Sequence, residues 1–465
     1  MSEGAAPLPV LDEGGVLIHQ VRTPELGDSS YLVRAGEEVA VVDVQRDLDR
    51  FRRALAEIGG RVAAVVETHI HNDYVTGGAA LAAEMGVPYV VAAGSGYEGG
   101  HRPVREGDTL EVGPARLRAM FTPGHTPHHM SYQVLVGGRV LAVLSGGCVL
   151  LGACGRTDLV SPGRTEELAR LQHSSARRIG ALPGPTGIGP THGAGSFCSG
   201  AVGAEETWTT VAEERGRNPA FLLGEDAFAR SQTAGLPAHP SYYRRMAPIN
   251  KSSPAGWAPS PIPRVDLATL AGMMGGGVAV VDGRPRAEFA TGHLRGSVSI
   301  EFGDLFSAYA GWVLPFGTPM ALVGHEAEVR LAARQCARIG IEGIRAWSRA
   351  SDGGPQEESR VTSFPVVDMG GLEAAWRAGA TVLDVRDPTE WREGHIPGAV
   401  NVHVPLIPER LEEVRSLPLP VLVHCATGFR AAIASSLLDA AGVEVVLVDA
   451  DFEGWGGRGL PLQKA

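Results

Sequence analysis

The stretch VLVHCATGFR, residues 421–430, decides how the C-terminal part of the chain folds. An apolar run typical of a buried strand leads to Cys425, a short loop with Gly428 follows, and a helical pattern begins at Arg430. In parallel α/β units such a loop lies at the carboxyl end of a strand, facing the N–H groups of the next helix. The loop is therefore predicted to cradle an anion carried on the Cys425 sulfur, and Arg430 adds a permanent positive charge.

The segment upstream of this loop occurs twice. VAVVDGRPRAEFATGHLRGSVSI begins at Val278 and ATVLDVRDPTEWREGHIPGAVNV at Ala380, so that Asp282 matches Asp384 at an offset of 102 residues. In each copy strands alternate with helices, which predicts a parallel α/β domain. His325 of the first copy stands where Cys425 stands in the second, and we expect the first copy to be catalytically silent.

Histidines follow apolar strands at three places in the N-terminal half. VVETHIHNDY contains His69, His71 and Asp73, FTPGHTPHH contains His125, and PTHGAGSFCSG contains His192. Imidazoles placed at the ends of neighbouring strands can converge on one metal ion. The sequence therefore predicts a metal site drawn from these residues.

Patterns along the chain divide it into four parts. Short strands with a few helices predict a mixed α/β sandwich over residues 1–236, and a Pro- and Ser-rich stretch over residues 237–263 predicts an exposed linker. Tyr242 and Tyr243 suggest that part of this linker packs on a neighbour. The two α/β copies occupy residues 264–350 and residues 363–465.

Composition excludes several classes of function. The 465 residues carry 41 Lys and Arg against 52 Asp and Glu, a net charge of −11, which disfavours a nucleic-acid binder. Lysine occurs only at Lys251 and Lys464. No apolar run reaches the ~18 residues needed to cross a membrane, and the N-terminus lacks the features of a signal peptide. Five cysteines without a CxxC pair favour a reducing, cytoplasmic environment. The oligomeric state stays open, with a homo-oligomer as one option.

The DVRD, GHIPGA and CATGFRA elements resemble the rhodanese family of sulfurtransferases, over roughly Phe364 to Pro461. The resemblance implies that Cys425 is the nucleophile that carries a persulfide sulfur, with no cofactor at this site. It also implies that Arg430 and the loop amides hold the anionic end of a sulfur donor such as thiosulfate. These amides belong to Ala426, Thr427, Gly428 and Phe429.

The histidine loops resemble the metallo-β-lactamase superfamily, which is marked by an HxHxDH motif, over roughly Gly15 to Leu236. The TPGHT and GRTDL segments are more similar to its persulfide dioxygenase and glyoxalase II branch. The resemblance implies an αββα sandwich with one metal ion at its edge, Fe(II) being favoured over Zn. Arg156 of the GRTDL segment is then expected to contact the substrate or to brace the site.

The chain departs from that motif twice. Tyr74 occupies the place of the second His of HxHxDH, and Gly147 occupies the place of the Asp that would bridge two metals. Both changes remove ligands for a second metal, and the second also removes the carboxylate of a 2-His-1-carboxylate iron site. His69, His71 and His125 remain as a three-His set, with Asp73 and His192 close to it.

The domain order resembles that of multidomain persulfide dioxygenase–sulfurtransferases. This implies a front domain that turns a low-molecular-weight thiol persulfide and O2 into sulfite, and a rear domain that passes sulfur through Cys425 between thiosulfate, sulfite and a thiol. Two alternatives stay open: a metal-dependent thioester hydrolase with a separate sulfurtransferase, and a metal-free front domain with sulfur-carrier activity only at Cys425. The sequence leaves open which thiol is used (glutathione, bacillithiol, mycothiol or coenzyme A) and in which direction sulfur flows.

Overall fold

The computed structural model describes residues 7–193, 195–199, 206–352 and 360–464. The chain divides into two compact units. The first comprises Met1–Ala258 and Ala337–Gly340, and the second comprises Pro259–Cys336 and Ile341–Ala465. Among the described residues, no helix combines the length and the apolar character that crossing a membrane requires.

The first unit contains a seven-stranded sheet whose strands neighbour one another in chain order. Strands β1 to β4 pair antiparallel, and β4 to β7 pair parallel. The strands are β1 (Leu8–Glu13), β2 (Val16–Thr23), β3 (Asp28–Ala35), β4 (Glu38–Val42), β5 (Arg61–Val66), β6 (Tyr89–Ala92) and β7 (Arg102–Val104).

A second sheet of six strands has the order β13-β12-β11-β10-β9-β8. Along β9, ARLRAMF, Ala115, Leu117 and Ala119 turn toward the core between the sheets, and the two arginines turn outward. The strands are β8 (Thr109–Val112), β9 (Ala115–Phe121), β10 (Met130–Val136), β11 (Arg139–Gly146), β12 (Gly187–Pro190) and β13 (Thr209–Thr210).

The two sheets pack face to face with helices outside both of them. One apolar core lies between the sheets, and separate cores lie beneath the helices on either side. The helices are α1 (Leu48–Ile58), α2 (Gly78–Met85), α3 (Thr165–Gly180), α4 (Val211–Arg217), α5 (Pro219–Leu222), α6 (Glu225–Thr233) and α7 (Tyr243–Lys251). This arrangement confirms the predicted αββα sandwich.

Helix α7 lies within the stretch expected to be a linker, and it packs on the first unit. Tyr242 and Tyr243 are buried. The Asn250 amide donates to the carbonyl oxygens of His71, at 2.9 Å, and Tyr74, at 2.7 Å, and its oxygen accepts from the Thr76 N–H at 2.8 Å. The end of α7 therefore holds the loop that carries the HxHxD motif.

The first α/β copy in the second unit has a four-stranded parallel sheet, in the order β16-β14-β17-β18. A short pair, β15 (His293–Leu294) and β19 (Val361–Thr362), lies apart from it. The sheet strands are β14 (Ala279–Asp282), β16 (Val298–Ser299), β17 (Met320–Val323) and β18 (Ile344–Ser348). The helices are α8 (Leu267–Gly275), α9 (Arg286–Thr291), α10 (Phe306–Val313) and α11 (Glu326–Arg338).

The second copy repeats this strand order and adds one edge strand, giving β20-β24-β23-β21-β22, all parallel. The same order in both copies agrees with the internal repeat. The strands are β20 (Val366–Val367), β21 (Thr381–Asp384), β22 (Val400–Asn401), β23 (Val421–His424) and β24 (Val445–Val448). The helices are α12 (Met369–Arg377), α13 (Pro388–Glu393), α14 (Leu411–Arg415), α15 (Phe429–Ala440) and α16 (Glu453–Gly457).

Candidate functional site

Three histidines from three separate loops meet at one end of the sandwich. His69 follows β5 of the first sheet, His125 lies between β9 and β10 of the second, and His192 follows β12. All three side chains are buried. One nitrogen atom from each lies within 4.8 Å of the corresponding atoms of the other two. We refer to these residues as the three-His group.

Hydrogen bonds determine which ring nitrogen of each residue faces the group. Nδ1 of His125 lies 2.7 Å from the carbonyl oxygen of Arg156, which only accepts, so this nitrogen carries the proton. Nδ1 of His192 lies 2.8 Å from the carboxylate of Asp28 and donates to it. The Nε2 atoms of these rings face the group.

His69 is oriented in the same way by a relay through a hydroxyl group. The hydroxyl of Thr68 donates its only proton to Asp43 at 2.8 Å, so it can only accept from Nδ1 of His69, at 2.9 Å. Carboxylate and carbonyl partners of this kind are what hold metal-binding imidazoles in proteins.

The distances fit a shared metal ion. Nε2 of His69 lies 3.3 Å from Nε2 of His192, about the separation of two nitrogens bound at ~2.0–2.1 Å to one tetrahedral ion. Nε2 of His125 is buried and has no hydrogen-bond partner among the described residues. A buried lone pair without a partner is costly, and a cation would satisfy it. The metallo-β-lactamase fold with these His groups implies a bound metal.

Protonation of the group depends on burial and on two carboxylates. Burial lowers the pKa of His125 to about 3 and holds that of His69 well below its usual range. Burial also acts on His192, but Asp73 and Asp28 outweigh it and raise its pKa to about 10. Without a metal, Nε2 of His192 therefore carries a proton and donates it to His69, and a metal ion would replace that proton.

His71 lies outside the three-His group. Its Nε2 lies 3.1 Å from a carboxylate oxygen of Glu67 and 3.3 Å from one of Asp43. Burial opposes a charge on this ring, but the two carboxylates outweigh it and hold its pKa well above the usual range. His71 is thus a buried cation between two acids. The Tyr74 ring, which replaces the second His of the motif, stacks on it with centroids 4.3 Å apart.

Asp73 flanks the group and does not belong to it. Its carboxylate lies 3.2 Å from Nδ1 of His192 and 4.0 Å from Nδ1 of His71. Asp73 and these two histidines form a second set of possible metal ligands. Burial, followed by the nearby charge of Asp73, raises the pKa of Asp28 to about 8. Sequence reasoning missed Asp28, because nothing in the β3 sequence marks it as a partner of a distant histidine.

Gly147 stands where the bridging Asp was expected, and the His125 ring lies directly against it. A Cβ atom at this position would be 2.3 Å from Cδ2 of His125. The backbone N–H of Gly147 donates to Nε2 of His129 at 2.9 Å, which gives the neighbouring histidine a structural role. Position 147 therefore has no room for a carboxylate while His125 keeps this position.

Arg156 reaches the site through its backbone. Its guanidinium forms a bidentate ion pair with Asp158, with distances of 2.7 Å, and also donates to the carbonyl oxygens of Phe197 and Pro237. Its own carbonyl oxygen orients His125. This arrangement corresponds to bracing of the site, the second of the two roles expected for Arg156.

The second unit places Cys425 in the loop between β23 and α15. The thiol is buried, and the Gly428 N–H points at its sulfur atom from 3.2 Å. Gly428 has φ of +93°, a conformation that favours glycine. The strand, the curled loop and the helix N-terminus match the predicted cradle for an anion on sulfur.

Arg430 is already paired. Its two terminal nitrogens donate to the two oxygens of Glu390, one of them at 2.8 Å. The buried Arg386 guanidinium donates both to Asp384 and to the carbonyl oxygen of Gly394, so these residues hold the second copy together. The predicted contact of Arg430 with a sulfur donor stays a prediction.

The first α/β copy contributes side chains beside the Cys425 loop. The Tyr309 ring packs edge-on against Phe429, with centroids 5.3 Å apart, and Arg286 donates to the carbonyl oxygen of Thr427 at 3.2 Å. His325, which replaces the cysteine in this copy, is exposed. The sequence alone did not identify Tyr309 or Arg286 as neighbours of this loop: Tyr309 lies in no motif, and the second copy has Pro388 in the place of Arg286.

Comparisons with known proteins match both parts of the chain that carry these sites. The model for the metallo-beta-lactamase superfamily matches residues 23–203, and the model for the rhodanese-like domain matches residues 372–458. The mitochondrial persulfide dioxygenase ETHE1 of Bos taurus is 30% identical over 219 residues, which cover 46% of this chain and 80% of that protein. A hydroxyacylglutathione hydrolase of Cereibacter sphaeroides is 28% identical over 230 residues, which cover 48% of this chain and 81% of that protein.

A solved structure extends the similarity beyond the first unit. The metallo-beta-lactamase from Staphylococcus aureus subsp. aureus COL aligns with a TM-score of 0.66 and 26% identity, over 72% of this chain and 99% of that one. The fusion expected from the sequence is thereby confirmed. The chain belongs to the persulfide dioxygenase family of the metallo-β-lactamase superfamily, carries a rhodanese-like domain at its C-terminal end, and is an enzyme of sulfur metabolism.

Proposed function

We propose that the first unit oxidises the persulfide of a low-molecular-weight thiol and that the second transfers sulfane sulfur through Cys425. The first reaction is RSSH + O2 + H2O → RSH + SO3²⁻ + 2H⁺. The outer sulfur is oxidised to sulfite, O2 is reduced, and the thiol is released. The observation that carries this proposal is the convergence of three imidazole Nε2 atoms in a buried site, in a relative of persulfide dioxygenases.

Iron(II) is the metal that we propose for the three-His group, with His69, His125 and His192 as its ligands. Imidazole suits both iron and zinc, so the choice rests on the named activity of the relatives. When bound, iron would supply the one-electron chemistry that O2 needs in order to react with a persulfide. The site is a three-His variant of the 2-His-1-carboxylate type, since Gly147 supplies no carboxylate.

The surrounding residues of the chain hold this site in one state. Asp28 and the Arg156 carbonyl oxygen keep Nδ1 of His192 and His125 protonated, which directs both Nε2 atoms inward, where a metal would take the place of the proton on His192. Burial of all three rings excludes bulk water from the reacting sulfur.

The second reaction takes place at Cys425. The thiolate attacks the outer sulfur of thiosulfate, Cys–S⁻ + S–SO3²⁻ → Cys–S–S⁻ + SO3²⁻, and the persulfide then passes its sulfur to a thiol or back to sulfite. The Gly428 N–H, which points at the sulfur, and the N-terminus of α15 stabilise the negative charge on the persulfide. Sulfite is the product of the first site and a sulfur acceptor at the second, which links the two activities chemically.

The thioester hydrolase is the weaker alternative. Hydrolysis at a two-metal site needs ligands for a second metal ion. Gly147 stands in the place of the Asp that would bridge the two metals, and Tyr74 stands in the place of a His ligand. His71, a further candidate ligand, is engaged with Glu67 and Asp43. A metal-free front domain is disfavoured by the unpartnered Nε2 of His125.

Oxygen consumption distinguishes the persulfide dioxygenase from the thioester hydrolase and from a metal-free front domain. Purified full-length protein is reconstituted anaerobically with Fe(II) and given glutathione persulfide in an oxygen electrode, and sulfite is quantified in parallel. We expect one sulfite formed per O2 consumed, and no uptake with a thioester. Absence of uptake with every thiol persulfide tried, together with thioester hydrolysis, would establish the alternative. Full sulfurtransferase activity without any O2 uptake would favour the alternative in which the front domain binds no metal and only Cys425 is active.

A further inference from the structure

Arg286 belongs to the first α/β copy, but its guanidinium lies against the Cys425 loop of the second copy. One terminal nitrogen donates to the carbonyl oxygen of Thr427 at 3.2 Å, and Nε donates to the carboxylate of Asp449 at 2.6 Å. The other terminal nitrogen donates to the carboxylate of Glu301 at 2.8 Å. Three acceptors on different segments of the chain therefore hold this planar group in one orientation.

The bond to Thr427 acts on the peptide group that faces the reacting sulfur. The carbonyl of Thr427 and the N–H of Gly428 belong to one trans peptide group, so they point in opposite directions. Arg286 holds the carbonyl end, while the N–H end points at the sulfur atom of Cys425 from 3.2 Å. A rotation that turned the N–H away from the sulfur would break both hydrogen bonds. A cation at the carbonyl oxygen also polarises the peptide group and strengthens its N–H as a donor.

The same ion pair fills the space beside Gly428. A Cβ atom at this position would lie 2.4 Å from Oδ1 of Asp449 and 3.0 Å from Nε of Arg286. Glycine therefore serves two purposes here, since it adopts the φ of +93° and leaves room for the two charged side chains. The pair of Arg286 and Asp449 is thus built into the wall of the Cys425 loop.

The two copies differ at both of the positions that matter. Pro388 of the second copy matches Arg286 at the offset of 102 residues, and His325 of the first copy matches Cys425. One copy therefore carries the nucleophile, and the other carries the cation that contacts its loop.

We infer that Arg286 is a positioning residue for Cys425: by holding the peptide group between Thr427 and Gly428, it directs a backbone N–H at the sulfur and stabilises the thiolate and the persulfide. The first copy, silent by itself, is then a working part of the sulfurtransferase site. The inference rests on the proposed function at Cys425. It adds a residue that lies outside the region matched by the rhodanese-like domain, residues 372–458.

Alkylation of Cys425 by iodoacetamide tests the inference apart from sulfur transfer. The full-length protein is labelled at pH 7.0 and at pH 9.5, and the peptide containing residue 425 is quantified by mass spectrometry. We expect Arg286→Gln to slow alkylation about tenfold at pH 7.0, the effect of one hydrogen bond to a charged group. At pH 9.5, where ordinary thiols are largely ionised, the difference should shrink to about twofold. Arg286→Lys, which retains a donor, should stay within about threefold of the wild type.

Asp449→Ala separates the position of the peptide group from the effect of charge. It removes the acceptor of the Arg286 Nε, so alkylation at pH 7.0 should slow about threefold, whereas the loss of a negative charge by itself would accelerate it. Arg330→Gln is the matched control, because it removes an exposed arginine of the same copy that pairs with Glu326. It should react like the wild type, and circular dichroism should show which variants fold.

An unchanged rate in Arg286→Gln at pH 7.0 would overturn the inference, as would an unchanged or faster rate in Asp449→Ala. Equal slowing of Arg286→Gln at both pH values would indicate poorer access to the sulfur and would also overturn it. If Arg286→Gln does not fold, the direction of the change in Asp449→Ala decides. Incubation of the wild type with thiosulfate tests the proposed function separately: alkylation that responds as expected, without any gain of one sulfur mass on Cys425, would refute sulfur transfer alone.

Discussion

Nδ1 of His192 donates a hydrogen bond of 2.8 Å to Asp28, a carboxylate that lies 164 residues earlier in the sequence. This contact turns Nε2 of His192 toward Nε2 of His69, 3.3 Å away. It therefore makes His192 a member of the three-His group.

Replacement of His192 or His125 by alanine should abolish metal binding, because each supplies one of three Nε2 atoms. Iron per protein chain, measured by inductively coupled plasma mass spectrometry after anaerobic reconstitution, should fall from about one to background. His101→Ala, outside the group, should retain the metal. A fully occupied His192→Ala variant would exclude His192 as a ligand.

His71→Ala should keep its metal but lose stability. The change leaves Asp43 and Glu67 buried without their cation, and breaking a buried ion pair in this way costs about 3–5 kcal/mol. Urea denaturation measures the loss, and metal analysis on the folded fraction from size-exclusion chromatography checks the site. Loss of metal from the folded fraction would instead place His71 among the ligands.

Gly147→Ala should destabilise the protein and weaken metal binding, since the new Cβ would lie 2.3 Å from the His125 ring. A cost of about 1–3 kcal/mol is expected from overpacking of this kind. Gly100→Ala is the control, because its Cβ would meet no atom within 4 Å. Gly147→Asp, which restores the usual acidic residue, should also lose metal. A gain in iron affinity in that variant would contradict the packing argument.

Cys425→Ser should abolish sulfur transfer from thiosulfate, because a serine hydroxyl cannot form a persulfide. Sulfite release and mass spectrometry of the peptide containing residue 425 measure the effect: the wild type should gain the mass of one sulfur atom. Cys336→Ala, which removes a different buried thiol of the same unit, should retain transfer. Transfer that survives in Cys425→Ser would move the nucleophile elsewhere.

His403 should make the second unit less stable in mild acid. Burial lowers its pKa to about 4 in the folded protein, against 6.5 for the free side chain. The unfolded chain therefore binds more protons between these values, so stability is complete above pH 6.5 and falls as the pH drops toward 4. The loss by pH 4.5 is about 2 kcal/mol.

His403→Phe removes this titration. The difference in unfolding free energy between the wild type and this variant should therefore change by about 2 kcal/mol from pH 7.5 to pH 4.5. Guanidinium denaturation at both pH values, followed by tryptophan fluorescence, provides the measurement. A difference that stays constant between the two values would show that His403 is not buried in its neutral form.

Much of the fold could be predicted from the sequence because its determinants are local. One short stretch of sequence specifies the strand that leads to Cys425, the loop with Gly428 and the following helix. The internal repeat predicted the same architecture for the first copy. The histidine loops were recognised because each follows an apolar strand. Within the stretch predicted to be an exposed linker, helix α7 is packed against the sandwich through Tyr243 and Asn250. The partners of these residues are distant in sequence, so no local pattern indicates them.

The sequence by itself determined which histidines lie near the proposed metal site, and tertiary structure decided which of them form the three-His group. His69 and His71 share one motif, yet Thr68 turns the first toward the three-His group while Glu67 and Asp43 hold the second away from it. Two of the orienting partners come from other strands: Asp43, after β4, contacts both Thr68 and His71, and Asp28 of β3 contacts His192. Such partners become neighbours only when the sheets pack, which is why chain spacing cannot identify them.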